Sequence, residues 1–170
     1  ETTKNTDGST TVVETKQDGT VTTTGTTQDG IQFETVSKPG ANTSARVTLP
    51  DSVREATVTL PGKVTAGTVA VDAKTGEIVR LSAPNEAGIV IKLDASAELI
   101  LEDRSKTFAD TDGHWAKNAI DFTTAHALFN GTSDTTFTPD KSMTRGMVAV
   151  VLHNFEGNPD FTVQNSFSDV

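Results

Sequence analysis

The sequence predicts an α+β protein in which a β-rich amino-terminal part precedes a small helical unit. Three observations predict it. β-like runs separated by turn signals fill the first hundred residues, 7 of the 8 Phe residues and the single Trp lie in the last 64, and helical periodicity occurs only there. At 170 residues and 17.9 kDa, the chain has room for small separate bodies rather than one large core.

The first 38 residues contain 13 Thr, and the pairs Asp7-Gly8, Asp18-Gly19 and Asp29-Gly30 recur every 11 residues. Asp-Gly supplies the positive φ angles of tight hairpin turns, and the intervening Thr and Val residues suit strands. Few of those residues are large and apolar, so each strand buries little area. We expect residues 1–38 to form a weakly cored β-ribbon or a flexible stalk. A disordered Thr-rich linker is the alternative.

Residues 39–106 show short β-like runs separated by turn signals, which is typical of a small sandwich or meander. The predicted strands are Ala45–Leu49, Ala56–Leu60, Thr68–Val71, Ile78–Leu81, Ile89–Leu93 and Glu98–Leu101. The core candidates are Val58, Val69, Val71, Val79, Val90 and Ile91. No cluster of titratable residues accompanies them, so a spacer is favoured over a binding groove.

Residues 107–159 are predicted to hold two amphipathic helices. The first spans His114–Phe129 with Asp112 as its N-cap, and its apolar face comprises Ala116, Ala119, Ile120, Thr123 and Ala127. The second spans Arg145–Phe155 and ends before Gly157 and Pro159. Its predicted buried stripe is Met147, Val148, Val151, Leu152 and Phe155.

A series of short motifs runs through the helical unit. It comprises Phe108-Ala109-Asp110, His114-Trp115-Ala116, Ala119-Ile120, Asn130-Gly131, Phe137-Thr138-Pro139 and Met143-Thr144-Arg145. In order and spacing the series resembles the S-layer homology repeat. Phe167-Ser168-Asp169 repeats the Phe-x-Asp motif 59 residues after Phe108. We therefore expect residues 160–170 to be a linker and the start of a following repeat in a longer protein.

This resemblance implies an extracellular protein in the cell wall or S-layer of a Gram-positive-type bacterium. Such repeats usually occur in threes and bind pyruvylated secondary cell-wall polymers noncovalently, in grooves between neighbouring repeats. The resemblance thus implies neighbouring S-layer homology repeats as partners. It also implies that a single complete repeat binds polymer weakly and self-associates as a homo-oligomer through its uncovered helix faces.

The candidate ligand-binding residues are Arg145, Thr144, Trp115 and Asp110. Thr144 and Arg145 match the Thr-Arg pair of the family's Thr-Arg-Ala-Glu signature, whereas Gly146 and Met147 stand where Ala and Glu are typical. A guanidinium binds a pyruvate-ketal carboxylate with two parallel hydrogen bonds, and a helix N-terminus favours an anion. The alternative for Arg145 is a structural or interface role.

Trp115 can stack on a sugar ring, but a Trp at the start of an amphipathic helix is more often a core anchor. Asp110 and Asp112 superficially resemble the start of a calcium loop, yet its later ligands are missing, which favours a turn and helix cap.

Composition argues against other classes of function. The net charge of −9 disfavours nucleic acid and anionic membranes as partners. The chain has no Cys or Tyr, no nucleophile or phosphate-binding motif and no zinc-type His spacing, so we expect no enzyme activity, cofactor or metal.

Two expectations follow for the whole chain. The leading function is wall anchoring, and the alternative is a β-domain adhesin or glycan-binding module mounted on the repeat, which predicts that residues 1–106 bind a ligand alone. The concentration of aromatics after residue 106 also predicts separate units and proteolytic cleavage between Asp103 and Thr107.

Overall fold

The computed structural model describes residues 1–4 and 8–160. Their strands are β1 Thr2–Lys4, β2 Thr10–Thr15, β3 Val21–Thr26, β4 Gln32–Ser37, β5 Thr43–Thr48, β6 Ala56–Pro61, β7 Thr68–Asp72, β8 Ser82–Asn85, β9 Gly88–Leu93 and β10 Ala97–Asp103. Their helices are α1 Lys117–Ala125 and α2 Arg145–Phe155. The α+β prediction, with its β-rich amino-terminal part, is confirmed. Within the described ranges no helix is long and apolar enough to cross a membrane.

The strands form two antiparallel sheets. A seven-stranded sheet has the order β1-β2-β3-β4-β5-β10-β7, and a three-stranded sheet has the order β6-β9-β8. The Thr-rich segment supplies β1 to β4 of the larger sheet, and it joins the next segment through the pairing of β4 with β5. The proposed boundary at residues 38 and 39 falls in this hairpin, and independent folding of the two segments stays a prediction.

The 11-residue repeat corresponds to one strand and one turn. Gly19 and Gly30 have φ angles of +80° and +77°, and their amides donate to Lys16 O and Thr27 O at 3.0 Å. Glycine adopts this backbone conformation without the steric cost that other residues incur. Asp7, in the first pair, lies outside the described residues.

The main core lies between the two sheets. Its fully buried side chains include Val47, Leu60, Ile89, Ile91 and Leu99. Successive strand residues point to opposite faces, so Ile89 and Ile91 are buried while the predicted core residue Val90 is only half-buried. Four other candidates, Val58, Val69, Val71 and Ile91, are buried as predicted, and Val79 packs half-buried against the core.

The prediction of a strand at Ile78–Leu81 is wrong. Ile78 makes only an isolated bridge to Val71, and Val79 N donates to Ala70 O at 2.8 Å. Leu81 O instead accepts from Lys92 N, on β9 of the other sheet. The segment crosses from one sheet to the other, so it cannot keep a ladder with either.

Helix α1 is shorter than predicted. Its N-cap is Ala116, without a side-chain hydrogen bond, so the prediction of Asp112 as the cap is wrong. The buried residues of α1 are Ile120, Asp121, Thr124 and Ala125, and of the predicted apolar face only Ile120 is buried. Contact with β7, rather than helical periodicity alone, selects the buried face.

Helix α2 has the predicted bounds, but the predicted burial of its apolar stripe is wrong. Val148, Leu152 and Phe155 are 45%, 61% and 43% exposed, Met147 is exposed as well, and Val151 is half-buried. No α2 residue is buried within the described part of the chain. The stripe is present in the sequence, but nothing in the described chain covers it.

Candidate functional site

The helical unit is organised around Phe108, which is only 4% exposed. Its ring centroid lies 5.6 Å from that of Phe137, which lies 6.2 Å from that of Phe129. Gly131 fits beside Phe108: a Cβ there would lie 2.5 Å from both Phe108 Cε1 and Ser133 O. These aromatic contacts fix the loop that leads from α1 towards α2.

Asp110 clamps the same loop. Its carboxylate accepts hydrogen bonds from Phe137 N at 2.9 Å and from Thr138 N at 2.7 Å. These amide bonds, that of Phe137 first, hold the pKa of Asp110 below its usual value. Thr138 has a φ of 62°, an uncommon conformation that the two amide bonds help to hold. The geometry gives Asp110 a structural role, and its place in ligand binding stays a prediction.

His114 and Trp115 lie at the approach to α1. His114 Nδ1 accepts from Ala116 N at 3.1 Å, which leaves Nε2–H to donate to Asp140 Oδ1 at 3.3 Å. Trp115 is 91% exposed, with its ring centroid 5.6 Å from that of His114. The interpretation of Trp115 as a core anchor is therefore wrong in this chain. The ring presents an open aromatic face.

The amino terminus of α2 carries the other two candidates. Thr144 has extended backbone angles, and its side chain accepts from Met147 N at 3.2 Å, as an N-cap does. Arg145 is exposed in the first helical turn. No hydrogen bond or ion pair joins the Arg145 side chain to another residue in the described part of the chain. Gly146 is equally open, since a Cβ there would meet only Thr144 Oγ1, at 3.8 Å.

A groove of about 350 Å³ runs from this terminus along α2 to the loop after α1. Its walls include Thr144 and Gly146 on one side and Leu128 and Asn130 on the other. Asn154 Nδ2 donates to Leu128 O at 3.0 Å and joins the two walls. The groove is open to solvent and combines apolar surface with a few polar groups.

The structure connects Asp110 to the loop that precedes Thr144 and Arg145, but among the described residues it does not join Arg145 to Asp110 or Trp115. Asp110 and His114 both bind the loop between the helices, which continues through Asp140 into Thr144. Within the described residues, no hydrogen bond or ion pair joins Arg145 to Asp110 or Trp115.

Sequence reasoning missed the structural importance of Gly131 and of Thr111. Thr111 is 1% exposed and its hydroxyl donates to Phe108 O. Its sequence neighbours gave no signal of burial, whereas the Asn-Gly pair did mark a turn at Gly131.

The S-layer homology domain family matches residues 107–146. This range contains the aromatic cluster, the Asp110 clamp and the amino terminus of α2 described above. Residues 107–146 are an S-layer homology domain. The second Phe-x-Asp motif, at Phe167, lies outside the described residues, so a further repeat stays a prediction.

Three curated proteins are similar to part of the chain. A cellulosome-anchoring protein of Acetivibrio thermocellus is 50% identical over 52 residues, which is 30% of this chain and 12% of that protein. Cell surface glycoprotein 1 of the same organism is 48% identical over 44 residues, 26% of this chain and 2% of that protein. An amylopullulanase of Thermoanaerobacterium thermosulfurigenes is 32% identical over 65 residues, 38% of this chain and 4% of that protein.

The chain thus spans a small fraction of the length of these relatives. No solved structure matches it. The S-layer homology domain, together with relatives that are surface and anchoring proteins, indicates an extracellular location in the cell wall or S-layer.

Proposed function

We propose that this chain holds a surface protein noncovalently on the cell wall by binding a pyruvylated secondary cell-wall polymer. Its S-layer homology domain and the names of two relatives support surface anchoring. The observation that carries the finer proposal is the exposed Arg145 in the first turn of a capped 11-residue helix.

Arg145 suits a carboxylate for two reasons. Its guanidinium offers parallel donors that match the two oxygens of a pyruvate ketal. The helix N-terminus adds partial positive charge and amides that lack partners within the helix. Together these groups make a local site for an anion on a chain whose net charge is −9.

Trp115 and the α2 groove add surface suited to sugar rings. Trp115 is exposed enough to stack on the apolar face of a pyranose. The groove reaches Thr144, next to Arg145, so a polymer could place its carboxylate at the helix terminus and a neighbouring sugar along α2. Asp110 contributes indirectly in this scheme, by holding the loop that precedes α2.

The exposed apolar stripe of α2 favours a binding partner on this face of the helix. Exposure of this apolar surface to water is unfavourable in a monomer. The surface comprises Met147, Val148, Leu152 and Phe155. A neighbouring S-layer homology repeat is the partner that we propose, and a second copy of the chain takes its place when only one repeat is present. Polymer binding by the chain alone is then weak, because the site between repeats is incomplete.

We propose a binding role without catalysis. The sequence carries no nucleophile or phosphate-binding motif, and the Ser82 Oγ–His126 Nε2 contact at 3.2 Å is buried, with Ser82 and His126 only 3% and 8% exposed, so it presents no hydroxyl to a substrate. The amylopullulanase matches over 4% of its own length, a share too small to transfer the activity in its name.

Calorimetric titration of a protein that carries the complete set of repeats, with pyruvylated wall polymer, tests the proposal. Arg145→Ala should weaken binding about tenfold or more, as loss of a charge-assisted bidentate contact implies. Arg54→Ala, which removes an exposed arginine of the β part, is the matched control. Polymer stripped of its pyruvate should bind the parent and Arg145→Ala proteins equally weakly. Unchanged affinity of Arg145→Ala for intact polymer would show that Arg145 is structural.

A further inference from the structure

The segment Ile78–Ser82 of the β part contacts both helices through alternate residues. We call it the docking strip. Ile78 packs against a small cluster of Val69, Val71 and Ala125, of which Ala125 is on α1. This cluster is separate from the main core between the sheets.

His126 joins the end of α1 to the docking strip. It is 8% exposed, and its Nε2 lies 3.1 Å from Ser82 O and 3.2 Å from Ser82 Oγ. Its Nδ1 lies 2.9 Å from Phe122 O, one turn earlier in the helix. A buried ring with polar atoms on both edges is held in one orientation, since leaving either nitrogen unpartnered is costly.

Arg80, between these two contacts, reaches the other helix. Its Nη1 donates to Phe155 O, at the carboxyl end of α2, at 3.4 Å. A cation at this end of a helix is favoured by the helix dipole and by the unsatisfied carbonyls. Gly157 makes room for it: a Cβ there would lie 1.8 Å from Arg80 Nη2.

The segment that connects the β part to the S-layer homology domain is also bonded to the β part. Arg104 N donates to Gly67 O at 3.0 Å, and a Cβ on Gly67 would lie 2.1 Å from Ser105 Oγ. Asp103 accepts from Ser105 N at 2.8 Å and from Thr65 Oγ1 at 2.9 Å. The first residues after β10 therefore stay attached to the β part.

We propose that the docking strip fixes the S-layer homology domain to the β part, so that the two move as one body without a hinge between residues 103 and 107. Helix α1 has nine residues, and so short a helix is unstable alone in water. Burial of Ala125 and His126 on the strip stabilises it. Load on the anchor then passes through the strip as well as through the chain connection, and the exposed stripe of α2 keeps a fixed direction relative to the sheets.

Trypsin digestion of the full 170-residue chain tests this proposal, because Arg104 and Lys106 place two cleavage sites in the connection. The docked protein should be cut slowly at both. Arg80→Ala and His126→Gln should each accelerate cleavage after Arg104 and Lys106 about fivefold. This factor corresponds to the net contribution of one hydrogen bond to stability. Arg54→Ala and Lys63→Ala, which each change an exposed cation of the β part, should stay within about twofold of the parent.

Hydrogen exchange in residues 117–125 should be faster in the two strip variants and unchanged in the controls. Rapid cleavage of the parent chain at Arg104 or Lys106 into two resistant fragments would overturn the proposal. So would equal rates in strip variants and controls. Arg80 has an exposed side chain, so Arg80→Ala decides the question even if His126→Gln fails to fold.

Discussion

The same substitution, Gly→Ala, should have opposite effects at two positions of the S-layer homology domain. At Gly131 the new methyl would lie 2.5 Å from Phe108 Cε1, 2.5 Å from Ser133 O and 2.6 Å from Thr136 O. Two of these three atoms belong to the backbone and cannot rotate away. Overpacking of this kind lowers the free energy of unfolding by about 1–3 kcal/mol.

At Gly146 the methyl would meet only Thr144 Oγ1, at 3.8 Å. Gly146 lies in the first turn of α2, and alanine has the better helix propensity, by about 1 kcal/mol in a helix interior and less at a helix end. The substitution also reduces the conformational freedom of the unfolded chain. We therefore expect Gly146→Ala to raise the free energy of unfolding by up to about 1 kcal/mol.

Urea unfolding of the three proteins, followed by helical ellipticity, measures both effects. The expected order of midpoints is Gly146→Ala, then the parent chain, then Gly131→Ala, with similar slopes. Hydrogen exchange in α2 and in the loop at residues 131–138 assigns each change to its segment. Equal stability of Gly131→Ala and the parent chain, or lower stability of Gly146→Ala, would show that the free space around each glycine does not control these effects.

Three further predictions concern the fold and the clamp. The ionised Asp110 stabilises the parent chain above about pH 4, and this stability is lost as pH falls through the lowered pKa of Asp110. Asp110→Asn lacks this contribution. Its melting temperature should therefore fall less steeply with decreasing pH than that of the parent. Phe108→Ala should lower the free energy of unfolding by about 3–5 kcal/mol in urea, and a loss below 1 kcal/mol would show that the ring is not an anchor. Gly25→Ala, whose methyl would lie 2.2 Å from Phe33 Cζ, should destabilise the ribbon and accelerate amide exchange in β3, whereas unchanged exchange would contradict the contact.

Much of the local structure could be predicted because it depends on neighbours in sequence. Asp-Gly pairs favour tight turns because glycine adopts positive φ without steric cost, and Gly19 and Gly30 have positive φ. Thr144 caps α2 because its side chain reaches an amide only three residues away. The motif series, read in order, predicted the S-layer homology domain that the family match then confirmed at residues 107–146.

The candidate site was predicted less completely. Arg145 and Thr144 lie where their motif placed them, at the start of α2. Trp115 was expected to be a core anchor and is exposed, because helical periodicity shows that a face is apolar but not whether anything covers it. The clamp by Asp110 joins amides 27 and 28 residues away, a separation at which a sequence pattern carries no signal.

The sequence by itself determined most of the strands, the bounds of α2, the Asp-Gly turns and the family that residues 107–146 match, since each depends on residues close together along the chain. Tertiary structure decided that the Thr-rich ribbon shares a sheet with β5, that α1 buries Ala125 and His126, and that Ile78–Ser82 leaves one sheet for the other. These outcomes depend on which distant surfaces meet. Local helix and strand propensities hardly depend on which distant surfaces pack together. Burial of apolar area and hydrogen bonding of buried polar atoms depend on it directly.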